Sequence, residues 1–228
     1  MPSTAKAHRW RQILSELRPQ LPGTWSIRGT GLDTMLVREP LDWSLAWIGY
    51  ADSPTRPLGW VAAGVQPLVT PMRGFVMTYG ARMDEVPSGP RTVDLLSDVA
   101  ADHTRQFVLG PGLEKINSWP PIRLAEVAER DFAQNPRGRR TYWHQLPGWR
   151  VVNGTASPVE PATQLAELCR ERARASGKAA RKMSERATFY EQLRQTWAEG
   201  ERDAALRFLV EQRNRALAAE QLDRVSAP

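Results

Sequence analysis

Cysteine is nearly absent from this sequence, since Cys169 is the only one among 228 residues. A single cysteine cannot form an internal disulfide, so we expect a fold without one and a reducing compartment. Histidine is also scarce. His8, His103 and His144 are far apart, and none has a second metal ligand at chelating spacing. The sequence therefore predicts no metal site, and it offers no cofactor signature.

Long apolar runs and catalytic motifs are also missing. No run approaches the ~20 apolar residues that span a bilayer, and the first residues, MPSTAKAHRWRQILSEL, lack the apolar core of a secretion signal. We therefore expect a cytoplasmic protein with no membrane partner. The chain has no G-x-S-x-G, phosphate-loop or dinucleotide motif. The sequence consequently indicates no catalytic residue, and a non-enzyme is favoured.

Residues 1–136 predict an α+β domain. Trp10, Ile13, Leu14 and Leu17 recur at helical spacing, so we expect an N-terminal helix. Alternating apolar and polar residues then indicate about five strands, the fifth over 75–82, with short turns and no helix between them. Such consecutive strands favour an antiparallel meander. Two helices are expected to follow.

The first of these two helices is expected to start at Thr92 as its N-cap, with Leu96, Val99, His103 and Phe107 on its apolar face. A loop over 110–121 and a second helix over 124–134 complete the domain.

The remaining chain predicts two further segments. Residues 137–160 have the composition of a basic aromatic connector, and 161–228 of a helical extension. Within the extension, one helix is expected over 164–176. Two more helices, the first from Ser184, are expected to meet at Gly200 and form an αα-hairpin.

Positive charge is concentrated in one part of the chain. The net charge is +6, yet residues 137–186 hold eleven Lys or Arg and only four Asp or Glu. Clustered basic residues bind polyanions or acidic surfaces, and interleaved aromatics can stack on bases. The alternative is a solvated face, with Trp143 packed inward. The candidate polyanion- or partner-binding residues are Arg137, Arg139, Arg140, Tyr142, Trp143, Arg150, Arg170, Arg172, Arg174, Lys178, Arg181 and Lys182.

A carboxylate series provides the only hypothesis for catalysis. Asp94, Asp98 and Asp102 are spaced four residues apart and would lie along one side of the predicted helix. With carboxylates from the following helix, for which Glu126, Glu129 and Asp131 are the nearby candidates, they could support a hydrolase-like site. A solvated helix face explains the same spacing.

The first 135 residues resemble uncharacterised bacterial α+β domains of the immunity or defence-accessory type. The resemblance lies in the order of elements and in stretches such as TWSIRGTGLDTMLVR and DWSLAWIGYA. The later stretch WAEGERDAALRFLVEQRNRAL is similar to helical hairpins that close such proteins, and also to helical-repeat hairpins. The resemblance implies an accessory role and transfers no site residue.

Three functions therefore remain open. The leading expectation is a non-catalytic cytoplasmic interaction protein that docks a protein partner through its basic helical extension. The second is a DNA- or RNA-binding protein that uses residues 137–186. The third is the carboxylate-based enzyme.

Overall fold

The computed structural model describes residues 2–52, 58–71, 77–87, 89–134, 142–175, 177, 180–220 and 222. Contacts between Cα atoms divide the chain into two compact units. We call them the sheet unit, made of residues 1–66, 74–120 and 217–228, and the helical unit, made of residues 67–73 and 121–216. Each unit is described by itself.

A five-stranded antiparallel meander forms the centre of the sheet unit and confirms the predicted α+β class. The strands follow each other in the order of the chain. They are β1 (Thr24–Arg28), β2 (Met35–Glu39), β3 (Ser44–Asp52), β4 (Gly59–Pro67) and β5 (Gly80–Arg82). In the register of the sheet, Leu36 lies opposite Ile48 and Val37 opposite Trp47.

One face of the sheet is covered by helices. Helix α1 (Pro2–Leu17) buries its predicted stripe, and the indole of Trp10 donates a hydrogen bond of 2.6 Å to the carbonyl of Thr34. Helix α2 (Ala100–Phe107) continues through a π-helical turn (Val108–Gly112) into α3 (Leu113–Asn117). This segment contacts the same face, because a Cβ on Gly112 would lie 3.2 Å from Ala63. Both helical segments therefore pack on one face of the sheet.

Two predictions for the sheet unit are wrong in detail. The fifth strand contains only Gly80–Arg82, and Met77–Tyr79 form a 3-10 turn. The helix expected from Thr92 begins at Ala100, and Leu96 is 53% exposed. Asp94 accepts a hydrogen bond from the backbone N–H of Leu96, a local turn that competes with helix formation.

The late helix start also contradicts the proposed carboxylate series. Asp94 and Asp98 precede α2, and only Asp102 lies on it. The three carboxylates therefore do not line one helix, and the arrangement on which the enzyme hypothesis depended is absent.

The helical unit consists of four helices and short connecting turns within the described residues. They are α4 (Pro121–Gln134), α5 (Leu146–Asn153), α6 (Val159–Ala175) and the part of α7 (Ala180–Ala219) before Leu217. Helix α7 bends sharply, because Gly200 and Glu201 have non-helical backbone angles. The rings of Phe189 and Phe208, on opposite sides of the bend, are 5.4 Å apart. This contact brings together the two arms of α7, residues 180–199 and 202–219.

Part of the predicted connector is a core element. Tyr142–Gln145 form a 3-10 turn, and Trp143 and Trp149 are fully or almost fully buried. Pro147 lies in the first turn of α5, where its missing N–H costs no helical hydrogen bond. Gly148 allows the helix to approach Val69 closely, since a Cβ there would lie 2.3 Å from the carbonyl oxygen of Val69.

Candidate functional site

The structure assigns different environments to the predicted binding residues. Four of them, Arg137, Arg139, Arg140 and Lys178, lie outside the described residues, and the side chain of Tyr142 does too. The remaining members are Trp143, Arg150, Arg170, Arg172, Arg174, Arg181 and Lys182. They separate into buried groups, ion-paired groups and exposed groups without a carboxylate partner.

Trp143 and Arg150 are parts of the packed interior of the helical unit. Trp143 has no exposed surface, and its ring packs against Phe132 and His144. Arg150 forms two hydrogen bonds of 2.8 Å to the carboxylate of Glu129, and its side chain is only 14% exposed. We therefore remove both side chains from the candidate surface.

Helix α6 and the first arm of α7 run side by side. The guanidinium of Arg170 forms an ion pair with Glu191. Val159, near the start of α6, lines the same groove as Ala198, near the end of the first arm of α7. The two helices are therefore antiparallel, so the end of α6 lies beside the start of α7.

Four basic side chains occupy this end of the helix pair. We call them the basic end: Arg172, Arg174, Lys182 and Arg186. None of the four has an ion pair or side-chain hydrogen bond to another described residue. Nearby, Arg181 has an i,i+4 contact with Glu185, but its side chain is 90% exposed, so the contact neutralises little of its charge.

The positive charge of the basic end affects the pKa of two buried groups nearby. Burial, together with the positive charges of Arg186 and Arg172, lowers the pKa of His144 to about 4. Burial raises the pKa of the Cys169 thiol, while the same two arginines oppose that shift. Arg172 and Arg186 therefore act on the same buried groups, although they come from different helices. The charges of Arg172 and Arg186 are therefore concentrated in one region.

Helix polarity adds to this concentration of positive charge. The amino end of a helix carries a partial positive charge that favours acidic residues. The first turn of α7 contains no acidic residue and places Arg181 and Lys182 there instead. An anion at this place would reduce the repulsion, so the local electrostatics favour an acidic ligand.

The sequence did not reveal a second feature, a cavity of about 520 Å³ in the sheet unit. Strand residues Trp47, Trp60 and Arg82 contribute to its lining, together with Asp33 from the β1–β2 turn and Glu220. The alternation in β3 and β4 indicated which face each tryptophan occupies. The closure by residue 220 had no local signal, because that residue is distant in sequence.

No cluster of three or more potential metal ligands occurs among the described residues. Two carboxylates of α4 have structural contacts, since Glu129 binds Arg150 and Asp131 accepts the backbone N–H of Trp143. Within the described part of the chain, no helix combines the length and apolar character needed to cross a membrane.

Comparison of the chain with protein-family models, curated proteins and solved structures found no match. The resemblance to immunity and defence-accessory domains therefore remains a prediction.

Proposed function

We propose that the chain is a non-catalytic accessory protein of the cytoplasm that binds an acidic protein partner through the basic end of its helical unit. The supporting observation is that Arg172, Arg174, Lys182 and Arg186 belong to the adjoining ends of α6 and α7 and have no carboxylate partners among the described residues. A partner that supplies carboxylates would relieve their mutual repulsion. Charge complementarity of this kind increases association rates and selects against wrong partners.

The burial of the aromatic rings near the basic end favours a protein partner over single-stranded nucleic acid. Proteins that bind single strands without sequence preference stack bases on exposed aromatic side chains. Around the basic end, Trp143, Phe189 and Tyr190 are all at least 95% buried. Their rings are needed in the core and present no stacking surface. Duplex DNA or RNA, which requires only phosphate contacts, is the second candidate.

A partner-binding role also fits the bacterial immunity and defence-accessory class that the first 135 residues resemble. The resemblance implies an accessory role, which binding of a partner would serve. We therefore treat the sheet unit and the helical unit as parts of one binding protein.

Charge reversal tests the proposal in the full-length chain. The test variant carries Arg172→Glu, Arg174→Glu and Lys182→Glu. The matched control carries Arg130→Glu, Arg194→Glu and Arg207→Glu, which reverse the same number of charges at exposed residues elsewhere in the helical unit. The native partner is captured from the host with the unmodified chain, purified, and titrated against each variant. We expect the test variant to bind about tenfold or more weakly and the control to bind normally.

The dependence on salt distinguishes the partner classes. An acidic protein should associate faster at low ionic strength, and this dependence should weaken in the test variant. In parallel, short single-stranded and duplex DNA and RNA are titrated over the same salt range. Equal binding of the acidic partner by both variants would refute the proposed surface. A steep salt dependence for duplex that disappears in the test variant would replace the protein partner by nucleic acid.

Deletion of residues 160–228 is unsuitable as the test. Residues 217–228 belong to the sheet unit, so the deletion would remove part of that unit as well. Surface substitutions avoid this problem because they leave both units complete.

A further inference from the structure

The bend of α7 depends on two residues. Gly200 and Glu201 are the positions of this 40-residue helix at which the backbone angles are not helical. The arms before and after them, residues 180–199 and 202–219, are helical throughout. Because no longer loop separates the arms, the angles at these two positions decide whether α7 is bent or forms one straight helix.

Glu201 has a backbone conformation that is unfavourable for its residue type. Its φ is 51° and its ψ is −142°, a combination that residues other than glycine rarely adopt because of steric conflict at the Cβ. Among the described residues it is the one non-glycine residue with a positive φ. Gly200 also suits the bend, since a Cβ there would lie 2.7 Å from the Cβ of Ala204. In a straight helix, Glu201 would take ordinary helical angles and this strain would be relieved.

Contacts of the second arm with the helical unit offset the strain and favour the bend. The rings of Phe189 and Phe208 are 5.4 Å apart. The guanidinium of Arg202 donates hydrogen bonds to the carbonyls of Val151 (3.0 Å) and Val152 (2.7 Å). The geometry of these contacts is the same whether the second arm comes from the same chain or from another copy.

The residues after the second arm complete the sheet unit. Residues 217–228 belong to that unit, and Leu217 and Leu222 are buried. Ala219 and Glu220 contribute to the lining of its cavity. A chain with a straight α7 would lose these contacts together with those of the second arm. A second copy that supplies residues 202–222 would restore all of them.

The pairing of the arms is compatible with a closed dimer. The midpoint between Phe189 and Phe208 in the sequence falls between residues 198 and 199. If straight helices from two copies ran antiparallel and kept this ring contact between copies, they would cross near their own residues 198–200. Ala198 and Gly200 are small, so the two helices can approach closely there. Two identical contacts related by a two-fold axis close the assembly at a dimer.

We propose that two copies of this chain exchange residues 202–222 and form a dimer in which α7 is one straight helix. Short hinges that hold backbone strain favour such an exchange. The relief of strain counts twice in each dimer, because each copy contributes one Glu201. The basic end lies outside the exchanged segment, so this proposal does not depend on the proposed function.

The connection between the arms also sets the concentration at which exchange is expected. In the bent chain, the second arm is tethered to its binding site at an effective concentration in the millimolar range. Exchange therefore competes poorly in dilute protein, and relief of strain shifts the balance toward the dimer. We expect a monomer at about 1 μM chain and a substantial fraction of dimer at about 0.1–1 mM.

Two adjacent substitutions should change the dimer in opposite directions. Glu201→Gly removes the strain from the bend and disfavours the straight helix, so the dissociation constant of the dimer should rise at least about 100-fold. Gly200→Ala places a Cβ in conflict with Ala204 in the bend and favours the straight helix. Its dissociation constant should fall at least about tenfold.

Each substitution has a matched control. Glu211→Gly introduces glycine at an exposed position of the second arm that is helical in both forms. Gly177→Ala introduces a Cβ that meets nothing within 4 Å. The full chain and its variants are refolded from urea over a series of concentrations, with reductant present because Cys169 is a free thiol. Size-exclusion chromatography with light scattering then gives the dimer fraction, and both controls should match the unmodified chain.

A distance within one chain distinguishes exchange from side-by-side association. Spin labels are placed on Thr188→Cys and Arg207→Cys, two exposed positions next to the contacting phenylalanines, while Cys169 is 1% exposed and protected in the folded chain. The bent chain holds the two backbone positions about 10 Å apart, as packed helices do. A straight helix separates them by about 28 Å. The labelled chain is diluted with unlabelled chain before refolding, so that the signal reports one chain.

The proposal is supported if the dimer fraction follows the order Gly200→Ala, unmodified chain, Glu201→Gly, and if the dimer shows the long distance. It is refuted if Gly200→Ala remains monomeric at about 1 mM chain, the effective concentration of the tethered arm. A dimer that shows only the short distance would also refute it, because such copies associate without exchange. A dimer fraction that Glu201→Gly does not reduce would show that strain at the bend is not its cause.

Discussion

Arg150 is expected to stabilise the helical unit, even though the basic composition of residues 137–186 suggested a binding role for it. The test compares Arg150→Ala with Arg174→Ala, since Arg174 is exposed and has no ion-pair partner among the described residues. Both substitutions remove one positive charge from a helix of the same unit. If the geometry governs the outcome, only the first should reduce the free energy of unfolding.

The magnitude follows from the contacts that would be lost. Arg150 donates two hydrogen bonds of 2.8 Å to Glu129 and one of 3.0 Å to the carbonyl of Ser157, and its guanidinium lies 5.6 Å from the ring centre of Phe132. Breaking a fully buried pair costs about 3–5 kcal/mol, and an exposed pair contributes about 0–1 kcal/mol. Because Arg150 is 14% exposed and Glu129 is 42% exposed, we expect a loss of about 2–3 kcal/mol.

Urea unfolding, followed by circular dichroism and tryptophan fluorescence, measures the difference. The two units can unfold in separate transitions, so each variant is fitted with the same number of transitions as the unmodified chain. Arg174→Ala should stay within about 0.5 kcal/mol of it. A double-mutant cycle with Glu129→Gln should give a coupling energy of about 1–2 kcal/mol. Equal stabilities of the two alanine variants would refute a structural role for Arg150.

Two further predictions concern the core of the helical unit. The pKa of His144 is lowered from 6.5 to about 4, so between these values the unfolded chain binds a proton that the folded chain does not. The free energy of unfolding should therefore fall by about 3 kcal/mol in total as the pH decreases through this window. Urea unfolding midpoints measured across the window should show this decrease in the unmodified chain and not in His144→Gln. Gly148→Ala would place a Cβ 2.3 Å from the Val69 carbonyl oxygen, whereas a Cβ on Gly177 meets nothing within 4 Å. Thermal unfolding should show a loss of about 1–3 kcal/mol for Gly148→Ala and no loss for Gly177→Ala; equal effects would contradict the close approach.

The sequence predicted those elements whose own residues carry the deciding signal. The stripe from Trp10 to Leu17 identified α1, because a helix must bury one face. Period-two alternation identified the meander. Gly200 identified the bend of α7, and the Phe189–Phe208 contact places the two arms together. In each case, local spacing and tertiary packing favour the same structure.

The sequence-based predictions failed where one local pattern is compatible with two different structures. The apolar spacing of Leu96 and Val99 suits a helix, yet both side chains are about half exposed, because Asp94 and Ser97 form a hydrogen-bonded turn. Pro147 and Gly148 have the composition of a connector. In the structure they start α5, since proline suits the first turn and glycine permits the contact with Val69.

The candidate sites show the same limit. Composition identified the excess of arginine over residues 137–186 but could not separate Arg150 from Arg174. The difference depends on Glu129, which is 21 residues away and on another helix. The cavity of the sheet unit was not predicted for a similar reason. Its lining includes both Asp33 and Glu220, and only the folded chain brings these residues together.

The sheet unit combines early and late segments of the sequence, and this has a consequence for its folding during synthesis. Leu222 is fully buried, its N–H donates to the carbonyl of Leu217, and both belong to the unit that also contains α1. Residues 121–216, which make up most of the helical unit, leave the ribosome before this last piece. The sheet unit therefore lacks part of its buried core until residues 217–222 have been synthesised. Ribosome stalling near residue 200 should accordingly leave an N-terminal half that is still sensitive to protease.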